Sequence, residues 1–504
     1  MIFRTVRWSY LLTILFLIFS SPCLAQEESL PRPSSNTIDD LKEERGVPYP
    51  GIIHIHSNIS QGGVYSLRRL VGLAQDKGIK ILVFSDTFLG CWEYGLPIFS
   101  NIFKISRETQ SIIKYGVKHY WENFKKIKEE FPDMLILEGT EVAPFYWWSG
   151  SLFKKNLSLN DRNRHLLVTG LKKYQDYTYL PVVCNRYILP QLKDIPALLI
   201  CLSLIILGIF FLKKKQRKIL GSILNVAAIL FLLHLFPFSA SRYNPYFGDK
   251  NYLPYQDLIN YVHKKGGLVF WAHPEIAEQM SGGRFATISF YTLSYPESLI
   301  ETSGYTGFAV NMLPGASHNL ILAGAEWDNV LTDYCEGKRG QPVWVIGEAD
   351  YRGKGRMDNI QNIFFLPEFN VESVRYALGH GKLYVRYYSE NIDISLNDFY
   401  IEDSQKQAED KFAFMGDEIE TGGKPCLHIK GSYIIIPPED LKIEIIRDGK
   451  IIKEFEFSNE GVFDLEFQDG SLPVFHRKSY YRLNFFVGSK IILVTNPIFV
   501  EIKD

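Results

Sequence analysis

The sequence predicts an α/β protein whose strands end in ligating side chains. Short runs rich in Ile, Val, Leu and Phe recur along the chain and meet a histidine or carboxylate at one end. They are GIIHIHS (His54, His56), ILVFSDT (Asp86), MLILEGTEV (Glu141), RHLLVTG (His165), LVFWAHPE (His273) and VWVIGEAD (Asp350). Between them lie helix-period segments closed by glycine, such as SLRRLVGLAQDKG and YQDLINYVHKKGG. In a parallel barrel or α/β sheet, buried strands supply position and their C-terminal ends supply chemistry. His54 and His56, at i and i+2 of one strand, point to the same face and can grip one ion.

From the N-terminus, MIFRTVRWSYLLTILFLIFSSPCLA has a basic start, an apolar stretch and small residues before Gln26. It reads as a signal peptide, residues 1–25, with an uncleaved anchor as the other reading. Residues 26–47 are polar and Pro/Ser-containing, a linker. The α/β pattern fills 48–194, where 105–131 reads as one long amphipathic helix. Residues 195–212 and 219–241 carry no charged side chain, and each is near the ~20 residues that span a bilayer. The KKKQRK loop between them belongs on the cytoplasmic side. A hairpin that dips in and out returns both flanking parts to one compartment, outside the cytoplasm. The α/β pattern resumes over 242–387. From 388 to 504 short alternating strands with an Asp448-Gly449 turn signal read as a β-sandwich.

At 504 residues and 46% hydrophobic, the chain is long and apolar enough for more than one core. A formal net charge of -1 gives no bulk attraction for nucleic acid. The cysteines show no zinc-ribbon spacing; Cys91, Cys184, Cys335 and Cys426 can pair in an oxidising compartment. The aromatic segment PFYWWSG, 144–150, fits a membrane interface or a pocket wall. Asp86 is expected to orient a neighbour or cap a turn, and His119, His234, His263, His318 and His380 to be ordinary.

The HxH, the SD, GTE, HLL, AHP and GEAD segments together, in that order, resemble the PHP (polymerase and histidinol phosphatase) superfamily of metal-dependent phosphoesterases. The tail, with YYRL and TNPIFV, is similar to its carbaryl-hydrolase-like branch. The resemblance implies a distorted (β/α)7 barrel, here interrupted by a two-helix membrane hairpin, with metals at its mouth. By resemblance, one metal would take His54, His56, Glu141 and Asp350, and a second Glu141 as bridge, His165 and His273. A third is disfavoured, because Gln61, Thr87 and Tyr351 stand where its ligands would be. Arg352, Lys354 or Arg356 can supply the charge in its place. Two divalent ions, Mn, Zn or Fe, suit such a mixed ligand set.

The function expected is a membrane-anchored, extracytoplasmic hydrolase of phosphate mono- or diesters, using a two-metal-activated water, with Glu141, Asp350 and Arg352 catalytic. Its substrate would be a phosphoester-type small molecule or an envelope or lipid-linked compound. Two other readings stand: hydrolysis of a carbamate or other non-phosphate ester, and a non-catalytic envelope binding protein.

Overall fold

The computed structural model describes residues 46–502 except 96–99, 101, 189–194, 236–241, 282–287, 314, 404–410, 423, 459–460 and 471–477. The signal peptide, all but the last two residues of the linker and the end of the second apolar run lie outside the described residues. The described chain is mixed α/β, with several sheets and ten α-helices.

The strand Val47–Ile55 pairs parallel with Ile81–Phe84, which pairs parallel with Leu135–Leu137. The last two continue past Ser85 and Glu138 as Asp86–Thr87 and Gly139–Val142, again parallel. Gly139–Val142 pairs antiparallel with Leu166–Thr169, which pairs antiparallel with Leu268–Trp271. Parallel pairings follow to Gly307–Val310 and then to Trp344–Gly347. The chain just beyond Trp344–Gly347 bonds to the first strand. Ala349 N–H donates to the Ile53 carbonyl, Tyr351 N–H to the His54 carbonyl, and His56 N–H to the Tyr351 carbonyl. Most of these strands are buried along their whole length, which is why they read as unbroken apolar runs.

The inverted strand corrects the all-parallel expectation and explains His165. This histidine precedes its apolar run instead of ending it. Because Leu166–Thr169 runs opposite to its neighbours, its start lies at the same edge as their ends. Ala272 N–H donates to the His165 carbonyl, so His165 and His273 emerge side by side.

The helix Leu67–Asp76 begins at Ser66, whose hydroxyl accepts the Arg69 N–H, and stops before Gly78 at φ 73. The single helix expected over 105–131 is not formed. Lys104–Glu108 is an exposed strand paired with Cys91–Gly95, and helices Ile112–Tyr115 and Val117–Glu130 are divided at Gly116, φ 103. Glycine there takes a conformation no helix interior accepts.

Ile195–Leu212 and Lys218–Leu235 form a helical hairpin, its turn a 3₁₀ segment at Lys215–Arg217. Two helices in this region are long and apolar enough to cross a membrane. Small residues set their approach: a Cβ on Gly208 would fall 2.7 Å from the Asn225 side chain, and one on Gly221 2.6 Å from the Gly208 carbonyl oxygen.

One sheet runs across residue 387, because Leu383–Tyr387 pairs antiparallel with Lys490–Thr495. A second sheet, built from Phe412–Phe414, Ile392–Glu402, Cys426–Ile435 and Gly461–Gln468, supplies Leu427 and Ile429 to a core shared with Ile443, Leu483 and Phe485 of the first. Asp448 (φ 49) and Gly449 (φ 74) make the expected hairpin turn. Arg482, fully buried, meets Asp328 at 2.7 Å and fastens the tail to the helix Glu326–Cys335.

Candidate metal centre

All six expected ligands converge at one edge of these paired strands. His54 Nε2 lies 3.2 Å from Glu141 Oε1 and 3.7 Å from Asp350 Oδ1. His56 Nε2 lies 3.2 Å from Asp350 Oδ1 and 3.7 Å from Glu141 Oε2. On the other side of the same carboxylate, Glu141 Oε1 is 2.7 Å from His165 Nδ1 and 3.5 Å from His273 Nε2. Two clusters that can hold a metal ion result, His54/His56/Asp350 and Glu141/His165/His273, with Glu141 reaching both. Ligands about 2.0–2.1 Å from a tetrahedral ion sit roughly 3.3 Å from one another, so these separations suit metal binding.

Three buried atoms, His54 Nε2, His56 Nε2 and Glu141 Oε1, make no hydrogen bond. Orphaned buried polar atoms are costly, and a cation facing all three would satisfy them. The donor set of imidazoles and carboxylates therefore fits divalent metals.

The histidines are oriented from behind. His54 Nδ1 lies 2.9 Å from Glu348 Oε2. His56 Nδ1 lies 3.2 Å from Ser60 Oγ, whose own proton goes to Asp86 Oδ1 at 2.6 Å. His273 Nδ1 lies 3.3 Å from the Tyr295 hydroxyl, which donates to the Ala272 carbonyl. Each partner can accept from Nδ1, which turns Nε2 of each ring toward the centre. Asp86 also accepts from Ser57 N–H, Ser57 Oγ and Tyr120 Oη, so it works behind His56 and is not a ligand of either cluster. Glu348, Ser60 and Tyr295 were not singled out as site residues in the sequence. The Glu of GEAD was the only available signal.

Three ligands hold left-handed backbones: His54 at φ 68, His273 at φ 34 and Asp350 at φ 38. At His54 the pairing with Ile81–Phe84 slips between Ile53 and Ile55. Simple strand alternation therefore does not place the two imidazoles; a bulge at His54 does, with ring centroids 5.0 Å apart.

Burial opposes a charge on His54, but Asp350, Glu141 and Glu348 outweigh it and push the imidazole up to about 10. Burial pushes His56 down. Burial also opposes charge on Glu141, yet the imidazoles of His165, His273 and His54 hold it well below the usual carboxylate range.

Arg352 is brought into the site. Its Nε donates to Asp350 Oδ1 (3.0 Å), Nη2 to Glu141 Oε2 (3.4 Å) and Nη1 to the Gln61 carbonyl (3.0 Å). Arg356 is not: it pairs with Asp358 and Glu390. Lys354 is exposed. Thr87 gives its N–H to Ser60 Oγ, and Tyr351 contributes backbone bonds to His54 and His56. Phe145, Tyr146 and Trp148 are buried in a satellite core with Trp92, Tyr94 and Tyr246, and Trp148 Nε1 donates to the Glu93 carbonyl. His318 and His380 lie within hydrogen-bonding distance of backbone carbonyls.

No protein-family profile and no curated protein sequence matches the chain. Among solved structures it aligns with β-glucosidase from Listeria innocua in complex with isofagomine, at 8% identity and TM-score 0.14, covering 43% of this chain and 40% of that one. The same enzyme with glucose gives 7% identity and TM-score 0.14, covering 58% and 56%. The endo-β-1,4-mannanase from Thermotoga petrophila gives 10% and 0.16, covering 92% and 98%. The chain thus spans about half the length of the β-glucosidase chains, and likeness this slight carries nothing about fold or chemistry.

Proposed function

We propose that the chain is a membrane-anchored, metal-dependent hydrolase of phosphate mono- or diesters, resembling the PHP superfamily, with its site outside the cytoplasm. The observation that carries this reading is the convergence of His54 Nε2, His56 Nε2 and Glu141 Oε1, all buried and without hydrogen bonds, between two ligand clusters. The seven paired strand segments that lead from Val47–Ile55 back to itself support a distorted (β/α)7 barrel. The two sheets over the second core support a C-terminal β-sandwich. The apolar hairpin with its basic turn supports membrane anchoring with the turn inside.

Two divalent ions, Mn, Zn or Fe, would be held by His54, His56, Glu141 and Asp350 and by Glu141, His165 and His273. Such ions polarise a phosphoryl oxygen and make water a competent nucleophile near neutral pH. Glu141 is the shared ligand, kept ionised by the imidazoles around it. Arg352 uses three of a guanidinium's five N–H donors on Asp350, Glu141 and Gln61. The remaining two are free for the non-bridging oxygens of a substrate, the charge that a third metal would otherwise supply.

A second reading, hydrolysis of carbamates or other non-phosphate esters, is favoured by one feature. A cavity of about 360 Å³ opens at His273, lined by Ile276, Val310 and Leu313, with no lysine or arginine in its wall. A panel of phosphomonoesters, phosphodiesters and aryl carbamates, run on the metal-loaded chain with Arg352→Ala alongside, separates the readings. Phosphoester turnover with KM raised in the variant supports the first. Carbamate turnover indifferent to Arg352 favours the second. No turnover of any class would make the chain a binding protein.

A further inference from the structure

Away from the metal centre, two thiols meet on the aromatic wall that follows Glu141. Cys91 opens the strand Cys91–Gly95, and Cys184 lies between the helix Tyr174–Thr178 and the membrane hairpin. Their sulfurs and a Glu93 carboxylate oxygen all lie within 4.8 Å of one another. We propose that Cys91 and Cys184 form a disulfide in the mature protein, which fastens the segment entering the hairpin to this aromatic core. The proposal rests on the reading that this part of the chain is exported, since exported proteins keep disulfides and cytosolic ones are held reduced.

The two sulfurs face each other within 4.8 Å, across the gap that a bond of about 2.05 Å would close. Cys184 holds a left-handed backbone at φ 71, a strained state for a side chain other than Asn or Asp, and such strain gathers where the surroundings impose a function. A thiolate metal site is the competing use of this cluster. It is weaker, because Glu93 Oε2 already pairs with Lys104 Nζ at 2.8 Å, and that leaves two thiols. The Tyr146 hydroxyl lies 3.2 Å from Cys184 Sγ and accepts the Glu93 N–H, so the aromatic core holds both partners.

The hydrogen bond between the thiols pushes Cys91 down, against burial, while the same bond and burial push Cys184 up. Cys91 is therefore the thiol that ionises first. Its thiolate attacks the active-site disulfide of an exported thiol oxidant, giving a mixed disulfide and one oxidant thiolate. Cys184, losing its proton, then attacks the Cys91 sulfur and expels the second oxidant thiolate. The oxidant ends as a dithiol carrying the two hydrogens and two electrons of the pair.

The bond would close a loop of about ninety residues, long enough to restrain the unfolded chain strongly. It would also brace the backbone at Glu141 and just after it: Phe88 N–H donates to the Glu141 carbonyl, and Val183 N–H to the Pro144 carbonyl.

The test is peptide mass mapping of the full chain, extracted from membranes with its thiols alkylated before any reduction. The expected result is a joined pair of peptides containing Cys91 and Cys184, two hydrogens lighter than their sum, with Cys335 and Cys426 alkylated. Reductant should lower the Tm of the native chain by several degrees, to that of Cys184→Ser, and leave the variant unmoved. Alkylation of both Cys91 and Cys184 at the outset overturns the proposal. Oxidised glutathione added to the purified chain then locates the error: joining indicts the exported location, and no joining indicts the geometry. Alkylation only after a chelator overturns it in favour of a thiolate metal site.

Discussion

His54, His273 and Asp350 hold left-handed backbones, a conformation that costs a non-glycine residue about 1–2 kcal/mol. The bonds around them over-determine it: Tyr351 N–H on the His54 carbonyl, Tyr295 behind His273, Arg352 on Asp350. The ligands themselves were legible in the sequence, because imidazoles and carboxylates at the ends of apolar runs are uncommon and six occurred together. Their supports were not. Glu348 stands 294 positions from His54, and no local pattern announces such a pairing. Glu348→Gln should leave the fold intact and weaken metal affinity roughly tenfold, measured by competition with a chelating dye; unchanged affinity would remove Glu348 from the site. Loading should also release protons. With His54 raised to about 10, its ring is protonated at neutral pH and must lose that proton to ligate. Apparent affinity should therefore fall as pH falls, about tenfold per unit for each proton displaced. Calorimetry in buffers of different ionisation enthalpy reads this directly, and a loading heat independent of buffer would contradict it.

The elements show where sequence pattern suffices and where it does not. Leu67–Asp76 was legible end to end, since Ser66 caps its start and Gly78 follows its end with positive φ. Residues 105–131 were misread because one apolar period extends across Gly116, and the strand Lys104–Glu108 is specified by its partner Cys91–Gly95. The direction of Leu166–Thr169 was equally hidden: a buried run reads the same in either orientation. The tail's attachment is a long-range feature too. Asp328 meets both Arg482 and the Tyr480 hydroxyl inside the protein. Asp328→Ala strands a buried guanidinium and should cost about 3–5 kcal/mol in denaturant unfolding. A loss below 1 kcal/mol would mean that Arg482 finds water or another partner.

Across the whole molecule, the ligands come from both sides of the hairpin: His54, His56, Glu141 and His165 precede it, and His273 and Asp350 follow it. One centre can form only if both parts lie on the same side of the membrane. Lys154→Cys in the intact cell should react with an impermeant maleimide, and Lys215→Cys only after lysis; labelling of Lys215→Cys from outside would reverse the topology. The central claim, that these six side chains make one binuclear centre, is tested most directly by metal content per chain in detergent-purified protein. About two ions in the native chain, and about one in His273→Ala, is the result predicted. No bound metal after loading with Mn or Zn, or a content indifferent to His273→Ala, would contradict it.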